Sequence, residues 1–153
     1  MTAGRSPSTP GSRIIFLGTG TSEGVPRVSC LTNPDSKCAV CPDAIRPGSL
    51  NRRRNTSLLI QRPMADGSTN NIVIDAGKFF YESAIQWFPK YSVSSIDALV
   101  VTHSHADAVG GFDDLRDWTN NAQESLPIYL RKSDYEAVES LFFYLVDRNR
   151  QSG

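Results

Sequence analysis

Both histidines of this 153-residue chain lie in one short stretch, Val101 to Gly111, "VTHSHADAVGG". His103 and His105 are two residues apart, Asp107 follows two further on, and Gly110 and Gly111 close the run. In an extended segment, residues i, i+2 and i+4 project to the same side, so the spacing predicts that two imidazoles and a carboxylate converge. That donor set suits Zn2+ or a similar first-row ion, and the glycines permit a tight turn into a following helix. An ion held there would bring a bound water towards ionisation at about pH 7. Asp107 would then orient that water or accept its proton. The plainer alternative for a bare H-x-H is a pair of polar residues decorating a strand end. An aspartate and a glycine at fixed offsets make the pattern more specific than that.

Cys30, Cys38 and Cys41 form a second cluster, C-x7-C-x2-C. Three thiolates can hold a structural Zn2+ tetrahedrally once a fourth ligand arrives, and Asp35, Asp43 or water could stand in that place. Unconnected free thiols in a loop are the alternative. Three consecutive arginines, Arg52, Arg53 and Arg54, stand just before a strand. Guanidinium groups match phosphate oxygens in bidentate fashion, so the run is a candidate phosphate clamp, against the plainer reading of a solvated charged face. Gly18, Gly20 and Gly24 loosely resemble a dinucleotide fingerprint. That mechanism needs a helix to begin at once, and Val25-Pro26 and the cysteine stretch follow instead.

Regular elements must carry these groups. Arg13 to Leu17, "RIIFL", reads as a buried strand ending in a glycine-rich loop. The stretch at about 26–55, with Pro34, Pro42 and Pro47, shows no periodicity and reads as an irregular excursion. Thr56 to Gln61 and Asn71 to Asp75 read as a hairpin turning at Asp66-Gly67. Lys78 to Lys90 is a predicted helix with Phe79, Phe80, Ile85 and Phe88 on its apolar stripe. Ile96 to Thr102 is a strand that delivers the histidines at its C-terminal end. Gly111 to Trp118 is expected to open a helix, and Pro127 to Leu130 a last strand. Ser133 to Glu136 has the S-x-x-E form of a capping box for a helix from Asp134 to about Asp147, with Tyr135, Val138, Phe142 and Leu145 as its buried face. Strands alternate with helices, so the class is α/β.

"THSHADAVGG" after "IDALVV", "IDAG" (Ile74 to Gly77) upstream and "LGTGTSEGVP" at the first strand together resemble the metallo-β-lactamase-fold hydrolases. The cysteine run "CLTNPDSKCAVC" and "RRRNTSLLI" are similar to the phosphoribosyl cyclic phosphate phosphodiesterase branch. The resemblance runs from Arg13 to about Asp147. It implies a four-layer αββα sandwich of two similar halves, with this chain as the N-terminal half, a mixed sheet with flanking helices. It implies His103 and His105 as ligands of a first metal, Asp107 as a ligand of a second, and Asp75 as the aspartate that supports the histidine loop from a neighbouring strand. It also implies a structural zinc on Cys30, Cys38 and Cys41 with a later histidine.

Two departures stand out. Ala108 occupies the last position of the family's H-x-H-x-D-H, and no histidine follows His105. The expectation is therefore one or two Zn2+ at the His/Asp site, with Mn2+ as an alternative, and at most residual hydrolysis from this chain by itself. The substrate implied is a small phosphodiester. A nuclease of the kind that trims tRNA 3′ ends is the enzymatic runner-up, and a truncated, non-catalytic zinc-binding or interaction product is the alternative outside enzymes.

Composition constrains the rest. Hydrophobic residues make up 39% and charged residues 21% of the chain, as in an ordinary globular domain. Lys plus Arg and Asp plus Glu balance at 16 each, so no overall basic excess favours nucleic acid. No apolar run approaches the roughly 20 residues that span a bilayer. Met1 to Ser12, "MTAGRSPSTPGS", lacks the apolar core of a secretory signal and reads as a disordered tail, leaving residues 13–153 as one domain. An odd number of closely spaced cysteines fits a reducing compartment, with the cytoplasm expected and the nucleus as an alternative. A half-sandwich would leave apolar sheet surface exposed, so self-association is expected.

Overall fold

A computed structural model describes residues 11–146. Most of the expected N-terminal tail lies outside the described residues. Five strands are formed: β1 (Arg13–Gly18), β2 (Ser57–Pro63), β3 (Thr69–Ile74), β4 (Ala98–Val100) and β5 (Ile128–Tyr129). Seven α-helices accompany them: α1 (Val28–Thr32), α2 (Val40–Ala44), α3 (Phe80–Trp87), α4 (Ala106–Val109), α5 (Arg116–Asn121), α6 (Lys132–Leu141) and α7 (Phe143–Val146).

The strands make one sheet in the order β1-β2-β3-β4-β5. β1, β2 and β3 are antiparallel neighbours, whereas β3, β4 and β5 run parallel. The hairpin turns where Asp66-Gly67 predicts it: the Ser68 N–H and hydroxyl both donate to Asp66 Oδ1, and Gly67 takes a left-handed φ of 87°, which glycine adopts without steric cost. Parallel neighbours need a crossover connection. α3 supplies it between β3 and β4, and α4 with α5 between β4 and β5. The result is the expected mixed α/β sheet with flanking helices.

Side chains alternate across a strand, and here both faces are apolar. Ile15, Leu17, Leu59, Val73, Leu99 and Val101 lie buried on one face with Phe80 and Ala84 from α3 and Phe88 just after it, together with Val109, Phe112, Leu115 and Val138. The residues between them face the other way. They match across the sheet as Ile14 with Ile60, Phe16 with Leu58, Ile60 with Ile72, Leu58 with Ile74, and Ile74 with Val100. This second face stays largely open, with Ile14 63%, Phe16 62% and Tyr129 60% exposed.

Several elements differ from the sequence expectation, each for a local reason. The segment at 26–55 is not wholly irregular, since α1 and α2 each form a short helix within it. α3 ends at Trp87, and a 3-10 turn over Pro89–Tyr91 completes the segment, because Pro89 has no N–H to continue the ladder. Phe80 and Ala84, spaced by four, lie on its buried face and Phe88, just past its end, continues the row; Ile85, one residue round the helix, is exposed. The helix expected from Gly111 starts as a 3-10 turn over Asp113–Leu115 and becomes α5 only at Arg116.

The expected capping box does not form. α6 starts at Lys132 with Arg131 as its extended N-cap residue, which places Ser133 inside the helix. Asp134 instead accepts a 2.8 Å hydrogen bond from Arg131 Nε. Tyr135 is exposed and donates to Glu139, while Val138 is buried. The helix breaks at Phe142 (φ −125°, ψ 38°) before α7. Phe142 and Leu145 still pack on the core, and Asp147 lies outside the described residues.

Candidate metal centre

β4 is short because the chain leaves the sheet before the histidines. Val101 N–H still bonds to the Tyr129 carbonyl on β5, and Thr102 to His105 then run as a loop into α4. His105 is the extended N-cap residue of α4, with its carbonyl accepting from Ala108 and Val109 N–H. Asp107 therefore sits in the first helical turn, not in an extended segment. The three side chains converge nonetheless, one ligand atom from each of His103, His105 and Asp107 lying within 4.8 Å of the others. The strand-like reading of the spacing was wrong in mechanism: a loop followed by a helical turn brings the groups together.

The imidazoles of His103 and His105 meet edge to face with ring centroids 4.9 Å apart. His103 Nε2 lies 3.4 Å from Asp107 Oδ1. Ala108, at the position where the family pattern has its last histidine, is completely buried and offers no ligand. α4 can start this close to β3 because residue 77 is glycine: a Cβ there would collide with the Asp107 carbonyl.

Asp75 ends β3 with a left-handed φ of 60° and is buried. Its Oδ1 accepts the Thr102 N–H at 2.8 Å and its Oδ2 the Thr102 hydroxyl at 2.7 Å. The same hydroxyl oxygen lies 2.9 Å from His103 Nδ1. A hydroxyl has one proton, and an ionised carboxylate only accepts. With that proton given to Asp75, the Thr102 oxygen must accept from His103 Nδ1–H. The chain Asp75–Thr102–His103 thus places a proton on Nδ1 and turns Nε2 towards Asp107. A partner on the second ring nitrogen is the usual way in which a ligating histidine is oriented.

Asp107 has a partner from the other end of the domain. Ser22, in the loop after β1, donates from Oγ to Asp107 Oδ2 at 2.7 Å. That bond is the largest influence holding the Asp107 carboxyl below its ordinary range, with His103 a smaller one, so the group is an anion at neutral pH. Neither Ser22 nor Thr102 was singled out by sequence reasoning. Thr102 had a signal, a hydroxyl immediately before the first histidine. Ser22 had none, being 85 residues from its partner.

The cysteines also gather, with the Sγ atoms of Cys30, Cys38 and Cys41 all within 4.8 Å of one another. All three are free thiols, and Cys41 is buried. The Cys41 N–H points at Cys38 Sγ at 3.5 Å and is the leading cause that lowers the Cys38 thiol to about 7. A compact set of soft donors with a thiolate available near neutral pH fits a zinc ion. No carboxylate joins this set among the described residues. Asp43 is engaged elsewhere, accepting from Ser49 and Asn51 at 2.8 Å each.

The arginine run divides. Arg53 donates to Thr19 Oγ1 at 3.2 Å in the glycine loop, and Arg54 to Gln86 Oε1 at 2.6 Å on α3. Burial, and then the neighbouring Arg52 charge, lower the Arg54 pKa from its ordinary value. The Arg53 guanidinium reaches the loop that bears Ser22.

Among the described residues no helix is long and apolar enough to cross a membrane. The sequence profile described as Beta-lactamase superfamily domain matches residues 70–152, more than half of the chain. A diphosphatase of the PhnP family is similar in structure, with a TM-score of 0.68 and 30% identity over 88% of this chain and 47% of its own. The Zn2+-bound PqqB of Methylobacterium extorquens shares the fold, with a TM-score of 0.58 and 19% identity over 83% of this chain and 42% of its own. A curated relative, an octanoyltransferase of Porphyromonas gingivalis, is 34% identical over 141 residues, which are 92% of this chain and 25% of that protein. The chain thus spans about half the length of these solved structures and a quarter of that relative. The metallo-β-lactamase reading of the sequence holds, and this chain belongs to the β-lactamase superfamily.

Proposed function

We propose that the chain carries one side of a metal-dependent hydrolase site for phosphodiester substrates, with Zn2+ as the ion and Mn2+ as an alternative. The observation that carries this reading is the convergence of His103, His105 and Asp107 within 4.8 Å. The donor set fits the ion chemically: two imidazoles and one carboxylate, with the His103 ring held through Thr102. When bound, such an ion supplies Lewis acidity that brings a water towards ionisation at about pH 7.

The chain's own residues do the rest. His103 presents Nε2, Asp75 and Thr102 hold that ring in place, and Asp107 supplies the anionic oxygen that orients a water beside the ring pair. Arg53, tethered to the glycine loop, offers a guanidinium for a phosphate oxygen. Similarity to the PhnP-family diphosphatase supports a phosphate-bearing substrate. Octanoyl transfer is the weaker reading, since this chain covers only a quarter of the protein that bears the name. Three gathered free thiols fit a structural zinc and a reducing compartment such as the cytoplasm.

The test uses the chain with zinc and an activated aryl phosphodiester. Zinc binding at the histidines is expected, together with slow, zinc-dependent hydrolysis, both lost in His103→Ala. Absence of any zinc response from the two imidazoles would overturn the reading.

A further inference from the structure

Asn55 is 3% exposed and stands between β1's loop and the start of β2. Its Nδ2 donates to the Thr21 and Ser22 carbonyls at 3.0 Å each. The same loop is tied to the 53–56 segment by Gly20 N–H to the Arg54 carbonyl at 2.6 Å, Thr56 Oγ1 to the Gly20 carbonyl at 3.0 Å, and Val25 N–H to the Arg53 carbonyl at 2.8 Å. The backbone at Ser22 is therefore fixed from one side, and its hydroxyl reaches Asp107 Oδ2 from there. Asn55 Oδ1 is buried, has no hydrogen-bond partner among the described residues, and lies close to Gly77.

We propose that Ser22 and Asn55 are positioning residues for Asp107: Asn55 holds the Ser22 backbone, and the Ser22 hydroxyl occupies Asp107 Oδ2 so that Oδ1 alone faces the imidazoles. A carboxylate that is free to rotate can offer either oxygen, or both, to an ion. With Oδ2 engaged, Asp107 acts through one oxygen, and the ordering cost of binding is met before the ion arrives. This rests on the metal reading above and adds to it what sets the carboxylate, and that the His/Asp cluster takes a single ion. Hydrogen-bonded supports of this kind typically change metal affinity by about 10–100-fold when lost.

His103 and His105 are the only histidines, so imidazole NMR signals during a zinc titration report this site without interference from the cysteines. Wild type is expected to saturate at one zinc per histidine pair. Ser22→Ala is expected to bind about 10-fold or more weakly with an unchanged backbone amide spectrum, and Ser22→Thr, which keeps the hydroxyl, to recover most of that loss. Asn55→Asp, which cannot donate to the loop carbonyls, is expected to weaken binding in the same direction. Zinc affinity in Ser22→Ala equal to wild type overturns the inference, as does an equal loss in Ser22→Ala and Ser22→Thr, which marks a purely structural contact. Two zinc ions per histidine pair would also overturn it. Wild-type imidazoles that ignore zinc would remove the metal reading itself and this inference with it.

Discussion

Asp75 and Thr102 are joined twice: one carboxylate oxygen accepts the Thr102 amide and the other its hydroxyl, at 2.8 and 2.7 Å. The hydroxyl's remaining capacity goes to His103 Nδ1. An aspartate just after β3 thereby orients a ring carried beyond β4.

Thr102→Val keeps the side-chain shape and removes the hydroxyl. His103 then loses the acceptor for Nδ1–H, and one buried Asp75 oxygen loses its donor. Zinc affinity at the histidines is expected to fall by about 10–100-fold, and stability by about 1–3 kcal/mol for the unsatisfied oxygen. Thr102→Ser should restore both. Imidazole NMR and denaturant unfolding check the two effects separately, and an unaltered Nδ1–H signal in Thr102→Val would sink the tautomer assignment.

Cys38 should be the most reactive of the three thiols. Its thiol is lowered to about 7, chiefly by the Cys41 N–H, and a thiolate is the nucleophile in alkylation. With iodoacetamide at pH 7, peptide mapping is expected to find Cys38 labelled before Cys30 and Cys41. Zinc should slow labelling of all three, since a coordinated thiolate is not free to attack. Labelling unaffected by zinc would argue against a metal at this cluster.

The open sheet face predicts self-association. Ile14 and Phe16 on β1 are mostly exposed and continue into Leu58, Ile60, Ile72 and Ile74 across the sheet. Contiguous apolar surface of that kind marks a contact face. Light scattering is expected to show species larger than a monomer, shifted towards monomer by the double change Ile14→Lys, Phe16→Lys. Both sites are already exposed, so the fold should survive. A wild-type chain that stays monomeric at high concentration contradicts this.

Acid should weaken the anchoring of α6. Asp134 has its carboxyl held below the ordinary value of 3.8, first by the Arg131 hydrogen bond. A depressed folded-state pKa contributes stability that is complete above the unfolded value and lost as pH falls through the folded one. Asp134→Asn should therefore lower Tm at neutral pH, with the difference from wild type shrinking below about pH 4. A constant difference across that range would place the effect elsewhere.

Much of this was legible in the sequence. Short continuous apolar runs such as "RIIFL" and "NIVID" specify strands, Asp66-Gly67 specifies the turn between the second and third strands, and the spacing of His103, His105 and Asp107 marks a donor set, because each signal is local and carried by residue type. Helix ends were less legible: Ser133 has the form of a cap, yet Arg131 became the N-cap and paired with Asp134. Only the tertiary structure decided which hydroxyls complete the site. Ser22 meets Asp107, and Asp75 meets Thr102 and through it His103, because the parallel pairing of β3 with β4 sets their ends side by side and Asn55 pins the β1 loop over α4. Such contacts join residues tens of positions apart through the register of a sheet, and no neighbouring residue in the chain encodes them.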